Sequence, residues 1–259
     1  MRYLFSLIAA FLPAAAFAQD VGIARDWQLG FQEPATPVMQ RLAWLHNDFL
    51  MYIITAITII VMLLMIYIAL RYNAKANPVP SKTTHNLRLE VIWTVIPVLI
   101  LIAIAVPSVR DHTFMETMPE NALTLKVTGY QWYWGYEYPD NGGIAYESRI
   151  IEDADLKEGD HRLLSVDEPV VVPVNTPIRV QITAADVIHA WAVPAFGVKR
   201  DAVPGRLNET WFEATKEGRF YGQCSELCGV KHGFMPIVVD VVSKEAFDAW
   251  IASKAEKKS

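Results

Sequence analysis

Cysteine is almost absent from this chain, with two residues among 259. Any disulfide within the chain must therefore join Cys224 to Cys228. A surplus of positive charge is absent as well. The 23 Lys and Arg against 28 Asp and Glu give a formal net charge of −5, which argues against a nucleic-acid partner. No internal repeat and no long low-complexity tract occurs. Most telling are two stretches without any charge, "FLMYIITAITIIVMLLMIYIAL" at residues 49–70 and "VIWTVIPVLILIAIAVPSV" at residues 91–109. Each meets the ~20-residue length needed to cross a bilayer core. Helices of soluble proteins typically show a polar face, and these have none. Pro97 and Pro107 would break a soluble helix but are tolerated in a membrane span.

The loop between the spans, residues 71–90, carries Arg71, Lys75, Lys82 and Arg88 against Glu90 alone. The positive-inside rule puts that loop in the cytoplasm and both termini outside. The opening "MRYLFSLIAAFLPAAAFAQD" has the basic, apolar, small-x-small order of a secretory signal, which predicts cleavage of residues 1–18 after Ala18. Residues 19–48 are expected to form an extracytoplasmic lead-in. Residues 110–259 hold 16 Lys and Arg against 23 Asp and Glu, which makes an acidic outer domain. Its Val-, Ile- and Tyr-rich runs, separated by Pro, Gly, Asn and Asp, predict an antiparallel β-sandwich or barrel. Within "GYQWYWGYEY", alternation would put Tyr130, Trp132, Trp134, Tyr136 and Tyr138 on one strand face. From Ser243 onward the pattern turns helical, with Ser243 as N-cap and Phe247, Trp250 and Ile251 on one face.

Both cysteines fall in "YGQCSELCGVKHGFMP", with His232 and Met235 just behind. A disulfide is the ordinary fate of two cysteines in an exported domain. A disulfide has no need of an imidazole and a thioether at these spacings. Zinc accepts Cys and His but makes little use of methionine. Thiolate, imidazole and a weak thioether point instead to an electron-transfer copper site. A single blue copper would leave one thiolate over, whereas two coppers bridged by both sulfurs use every donor if a second histidine arrives. His189, at a strand end in "DVIHAWAVPAFGV", is the best-placed candidate, although a lone histidine among apolar residues is by itself more often a core residue.

Taken together, "LEVIWTVIP", "GYQWYWGYEY", "DVIHAWAVPAFGVKRDAVPGRLNE" and "GQCSELCGVKHGFMPI" resemble the cytochrome c oxidase subunit II family of haem–copper oxidases, over nearly the whole mature chain. The resemblance implies a two-helix transmembrane hairpin followed by an all-β cupredoxin-like Greek-key barrel or sandwich with a C-terminal helix. It also implies a binuclear CuA centre of two copper ions, bridged by Cys224 and Cys228 and terminated by His189 and His232. Met235 and the backbone carbonyl of Glu226 would be weak ligands. The Glu226 carboxylate would contribute to a magnesium or manganese site at the boundary with subunit I, and Asp201 would join the hydrogen bonds nearby. Trp132 is implied as the residue through which electrons arrive from cytochrome c. Glu137, Asp167 and Asp186 would be docking carboxylates for that basic partner, and Glu90 the mouth of a proton-uptake path. The haems would belong to subunit I, with subunit III as a further partner, in a proton-pumping complex of a bacterial inner membrane. A nitrous oxide reductase carries a similar copper domain, but it lacks the hairpin and has a large second catalytic domain. Quinol oxidases keep the related domain without the copper ligands, which are all present here.

Overall fold

The computed structural model describes residues 21–256. The predicted signal at residues 1–18 lies outside the described residues. Two long helices come first, Pro37–Arg71 and Leu87–Glu116, both long and apolar enough to cross a membrane. Their most apolar windows have mean hydropathy 2.9 and 2.6, and the protein covers none of either window. The first helix begins well before the apolar run at residue 49. Thr36 caps it, its hydroxyl accepting from Met39 N at 3.0 Å, and Pro37 follows where a missing N–H costs nothing. A π-helical turn, Leu45–Leu50, interrupts it just above the apolar run. Asn86 caps the second helix, and Glu90 closes that cap by accepting from Asn86 N at 3.1 Å. Pro97 and Pro107 lie inside the second helix without ending it.

Beyond the helices, ten strands form a sandwich of two five-stranded sheets. One sheet has the order β3-β2-β1-β5-β8, from Ile144–Ser148, Tyr133–Tyr138, Leu123–Tyr130, Pro177–Ala184 and Asn208–Glu213. The other has the order β4-β10-β9-β6-β7, from Val170–Pro173, Pro236–Val242, Gly218–Cys224, His189–Val193 and Val198–Ala202. The pairs β1–β5 and β4–β10 are parallel and the rest are antiparallel. Alternate residues point inward, so Leu125, Val127, Trp134, Ile178 and Val180 of one sheet meet Trp191, Phe220, Ile237 and Val239 of the other in one core. Tyr138 ties the layers. Its hydroxyl donates to Val171 O at 2.9 Å and accepts from Val171 N at 3.0 Å. The C-terminal helix, Lys244–Glu256, starts at a Ser243 cap (Ala246 N to Oγ, 3.2 Å) and buries Phe247, with Trp250 and Ile251 packed beside it. Membrane hairpin, β-sandwich and C-terminal helix are the architecture expected from the sequence.

One expectation is corrected. The run from Tyr130 to Tyr138 is a hairpin: β1 ends at Tyr130 and β2 begins at Tyr133. The intervening turn breaks the alternation. Only Trp134, Tyr136 and Tyr138 share the buried face, while Tyr130 stacks on Tyr133 at 4.7 Å on the other side. The lead-in also does more than connect. Gly22 bridges to Phe220 alongside β9, Ala35 bonds to Ala195 O and receives Thr215 N, and the Thr36 hydroxyl donates to Phe196 O at 2.7 Å. Where the second helix ends, Phe114 packs edge-on against Trp211 at 5.4 Å, and Glu116 pairs with Arg200 at 2.6 Å.

Candidate metal centre

Three segments converge at one end of the sandwich. Strand β6 opens with His189, β9 closes with Cys224, and the loop from Ser225 to Met235 leads into β10. Trp191 and Cys224 face each other in the β6–β9 register, which brings the histidine strand to the cysteine loop. The loop is pinned at both ends, with Ser225 N on Ala190 O at 3.0 Å and Cys224 N on Met235 O at 3.3 Å. A 3-10 turn at His232–Phe234 folds it back, and the Trp134 indole donates to Met235 O at 3.2 Å.

The cysteine sulfurs are 3.8 Å apart, unbonded and facing one another. His189 Nδ1 lies 3.9 Å from Cys224 Sγ, and His232 Nδ1 lies 3.5 Å from Cys228 Sγ. Met235 Sδ is 3.5 Å from Cys228 Sγ, and the Glu226 carbonyl is 3.4 Å from Cys224 Sγ. The donor atoms of His189, Cys224 and Cys228 all lie within 4.8 Å of one another. All three residues and Met235 are buried, whereas His232 is half-buried. This set of two thiols, two imidazoles and one thioether in a nearly dry pocket fits copper by its softness, and it forms a His/Cys/Cys group consistent with a CuA site.

The far side of His189 is fixed as firmly as the near side. Asp186 Oδ1 is 2.9 Å from its Nε2, which leaves Nδ1 turned to the sulfurs, and the Trp134 ring stands edge-on at 5.9 Å. A carboxylate behind a ligating imidazole is the usual outer-shell arrangement. Burial alone would raise the Asp186 carboxyl, but hydrogen bonds from His189, Val187 N and Gln131 N outweigh it and hold the group low. Burial would lower the His189 imidazole, yet Cys224 and Asp186 more than offset that and raise it. Burial opposes ionisation of Cys224, but His189 and backbone hydrogen bonds bring its thiol below the ordinary range. Burial and the neighbouring Cys224 charge push the Cys228 thiol up.

The remaining site residues are scattered. Trp132 lies against the loop, its Nε1 donating to Cys228 O at 3.3 Å, and it shares a surface recess with Asp167, Arg149 and Lys231. Asp186 spends its oxygens on His189, on Val187 N at 2.6 Å and on Gln131 N at 2.7 Å, so its first contacts are with the metal-site frame. Glu137 is apart from both, paired with Lys126 at 3.1 Å in a separate groove on the outer face of its sheet. The Glu226 side chain is exposed, and Asp201 offers its carbonyl to Asn208 at 2.7 Å. Glu90 is far along the chain at the start of the second helix. Gln131 beside Cys228 is absent from the sequence reading, which names Asp186 as a docking carboxylate and not as the anchor behind His189. A carboxylate three residues before a candidate ligand was the one signal for that anchor.

Comparison with known proteins agrees in both halves of the chain. The family model for cytochrome c oxidase subunit II, transmembrane domain, matches residues 24–110, and that for its periplasmic domain matches residues 123–242. A probable cytochrome c oxidase subunit 2 of Rickettsia bellii is 56% identical over 228 residues, covering 88% of this chain and 84% of that protein. The cytochrome c oxidase subunit 2 of Cereibacter sphaeroides is 49% identical over 250 residues, covering 89% and 82%. Among solved structures, the periplasmic domain of subunit II of cytochrome oxidase from Bradyrhizobium japonicum aligns with TM-score 0.52 at 57% identity. It covers 55% of this chain and all of that one.

Proposed function

This chain belongs to the cytochrome c oxidase subunit II family, and from that premise we propose that it is the electron-receiving subunit of a proton-pumping oxidase. Cys224 and Cys228 would bridge two copper ions, with His189 and His232 as terminal ligands and Met235 and the Glu226 carbonyl as weak ones. Copper held in this way supplies a one-electron carrier shared between two metals. The chain's own part is to keep the ligands still. Asp186 fixes one imidazole, the β6–β9 pairing fixes one sulfur, and burial excludes water.

Electrons would arrive from cytochrome c through Trp132. A broad indole at the surface can meet a haem edge, and its N–H reaches the carbonyl of a bridging cysteine. The acidic outer domain would steer a basic partner, with Glu137, Asp167 and Asp186 as the carboxylates concerned. Electrons would leave for the haems of subunit I, where oxygen is reduced to water, with subunit III completing the partners. The Glu226 carboxylate would hold magnesium or manganese at the subunit I boundary, since hard cations take oxygen donors. Glu90 would sit at the mouth of a proton-uptake path on the cytoplasmic side. The copper domain would face the periplasm of a bacterial inner membrane, after removal of residues 1–18.

The observation that carries this reading is the meeting of two unbonded buried sulfurs, 3.8 Å apart, with an imidazole beside each. The test is metal analysis and electron paramagnetic resonance of the purified complex, in parent and Trp132→Ala forms. About two coppers sharing one unpaired electron are expected from this chain, beyond any copper held by subunit I, with electron uptake from cytochrome c slowed in the variant while copper content holds. A chain that takes up no copper refutes the reading.

A further inference from the structure

Gln131 occupies the turn between β1 and β2, and its two ends act on different ligand-bearing segments. Its backbone N–H donates to Asp186 Oδ2 at 2.7 Å, and the other oxygen of that carboxylate holds His189 Nε2 at 2.9 Å. Its side-chain amide donates from Nε2 to Cys228 O at 2.8 Å. The turn thus bonds directly to Cys228, in the loop after β9, and reaches His189, at the head of β6, through Asp186. The same Cys228 carbonyl takes a longer bond from Trp132 Nε1 at 3.3 Å, so Gln131 supplies the shorter of two donors there. Leu227 and Val230, flanking Cys228 and Gly229, point outward at 77% and 87% exposure, so no apolar packing draws them in. Gly229 completes the fit. Its φ is +122°, and a Cβ there would stand 3.2 Å from Gln131 Nε2 and 3.1 Å from Trp132 Cζ2. A side chain at that position would push the amide off the carbonyl.

We propose that Gln131 is a positioning residue for the metal centre, holding the Cys228 carbonyl and, through Asp186, the His189 imidazole in one fixed relation. The inference rests on the copper reading above. A donor N–H aimed at the peptide of a bridging cysteine puts the positive end of a dipole beside the centre, which favours its reduced, more negative state. Losing that donor lowers the midpoint potential and frees the loop to open.

Gln131→Met tests this directly, because methionine keeps the length and packing and removes only the donor, and Gln131→Ala removes both. Both variants are measured in the intact oxidase complex for copper content, electron paramagnetic resonance, midpoint potential and the rate of copper loss to a chelator. Both are expected to keep the parent's copper content, to give an altered spectrum and a lower potential, and to release copper about tenfold faster, the size typical of losing an outer-shell partner. A Gln131→Met complex with the parent's spectrum and potential overturns the inference, even if Gln131→Ala is changed, since packing alone would then explain the effect. Absence of copper from the parent complex would be seen before any variant is compared. It would refute the copper reading, and this inference with it.

Discussion

Replacing Gly129 with alanine should damage the metal centre without unfolding the protein. Gly129 lies near the end of β1, opposite Trp134 in the β1–β2 register, and His189 packs over its bare Cα. A Cβ there would stand 2.8 Å from His189 Cδ2, 3.0 Å from Cγ and 3.2 Å from Cβ. That is about 0.6 Å inside the closest ordinary contact, so the ring must retreat. It has nowhere to go, because His189 is fully buried, held at Nε2 by Asp186 and flanked by the Trp134 edge. Overpacking of this kind costs about 1–3 kcal/mol. Exchanging glycine for alanine returns about 0.4–1 kcal/mol through the unfolded chain. The net loss, about 0–2.6 kcal/mol, is small against the roughly 5–15 kcal/mol that holds a domain together. The larger effect falls on the ligand. A displaced His189 should weaken copper affinity about 10–100-fold, the range that follows when the surroundings of a ligating imidazole are disturbed. Chelator-competition titration of the full-length protein in detergent, run beside thermal unfolding, measures both. Gly233→Ala, in the ligand loop but with open space around its Cα, is the control and should match the parent. The steric reasoning fails if Gly129→Ala binds copper as tightly as the parent, or if Gly233→Ala weakens it equally.

Two further outcomes are expected. Copper uptake by the metal-free protein should release protons and tighten as pH rises, because Cys228 is pushed above the ordinary thiol value and His189 above the ordinary imidazole value, and both must lose a proton to bind. Chelator competition from mildly acidic to mildly alkaline pH checks the sign, and a pH-independent affinity would contradict it. Tyr138→Phe should leave copper binding alone yet destabilise the sandwich by about 1–3 kcal/mol, since the N–H and C=O of buried Val171 both lose their partner. A urea midpoint equal to the parent's would show that these groups find other partners.

The cysteine loop was legible in the sequence because four of its donors lie between Cys224 and Met235, close enough for their types to argue together. His189 was legible only as the histidine best placed to join them. Asp186 was legible as an acidic residue three before His189 but not as its anchor, and Gln131 was not legible at all, because what matters is its reach across the fold. Gln131 meets Cys228 only because a hairpin turn is folded onto a distant loop, and no local pattern records that. The turn also misled the strand reading, since alternation cannot reveal where a chain reverses between Tyr130 and Tyr133. The early start of the first helix was written in Thr36-Pro37, a cap followed by a proline. The apolar run that identifies a membrane span begins only later, at residue 49, so hydropathy alone does not mark that start.

The stitching of residues 35 and 36 into the sandwich, and of Phe114 and Glu116 onto Trp211 and Arg200, has a mechanical consequence. The helix pair and the β domain share a joint without a swivel. A redox group on a free tether would sweep a cone of heights above the bilayer and would lose orientational freedom at every encounter. Here folding has already removed that freedom, so the cysteine loop stands at a preset height and angle relative to the helix pair.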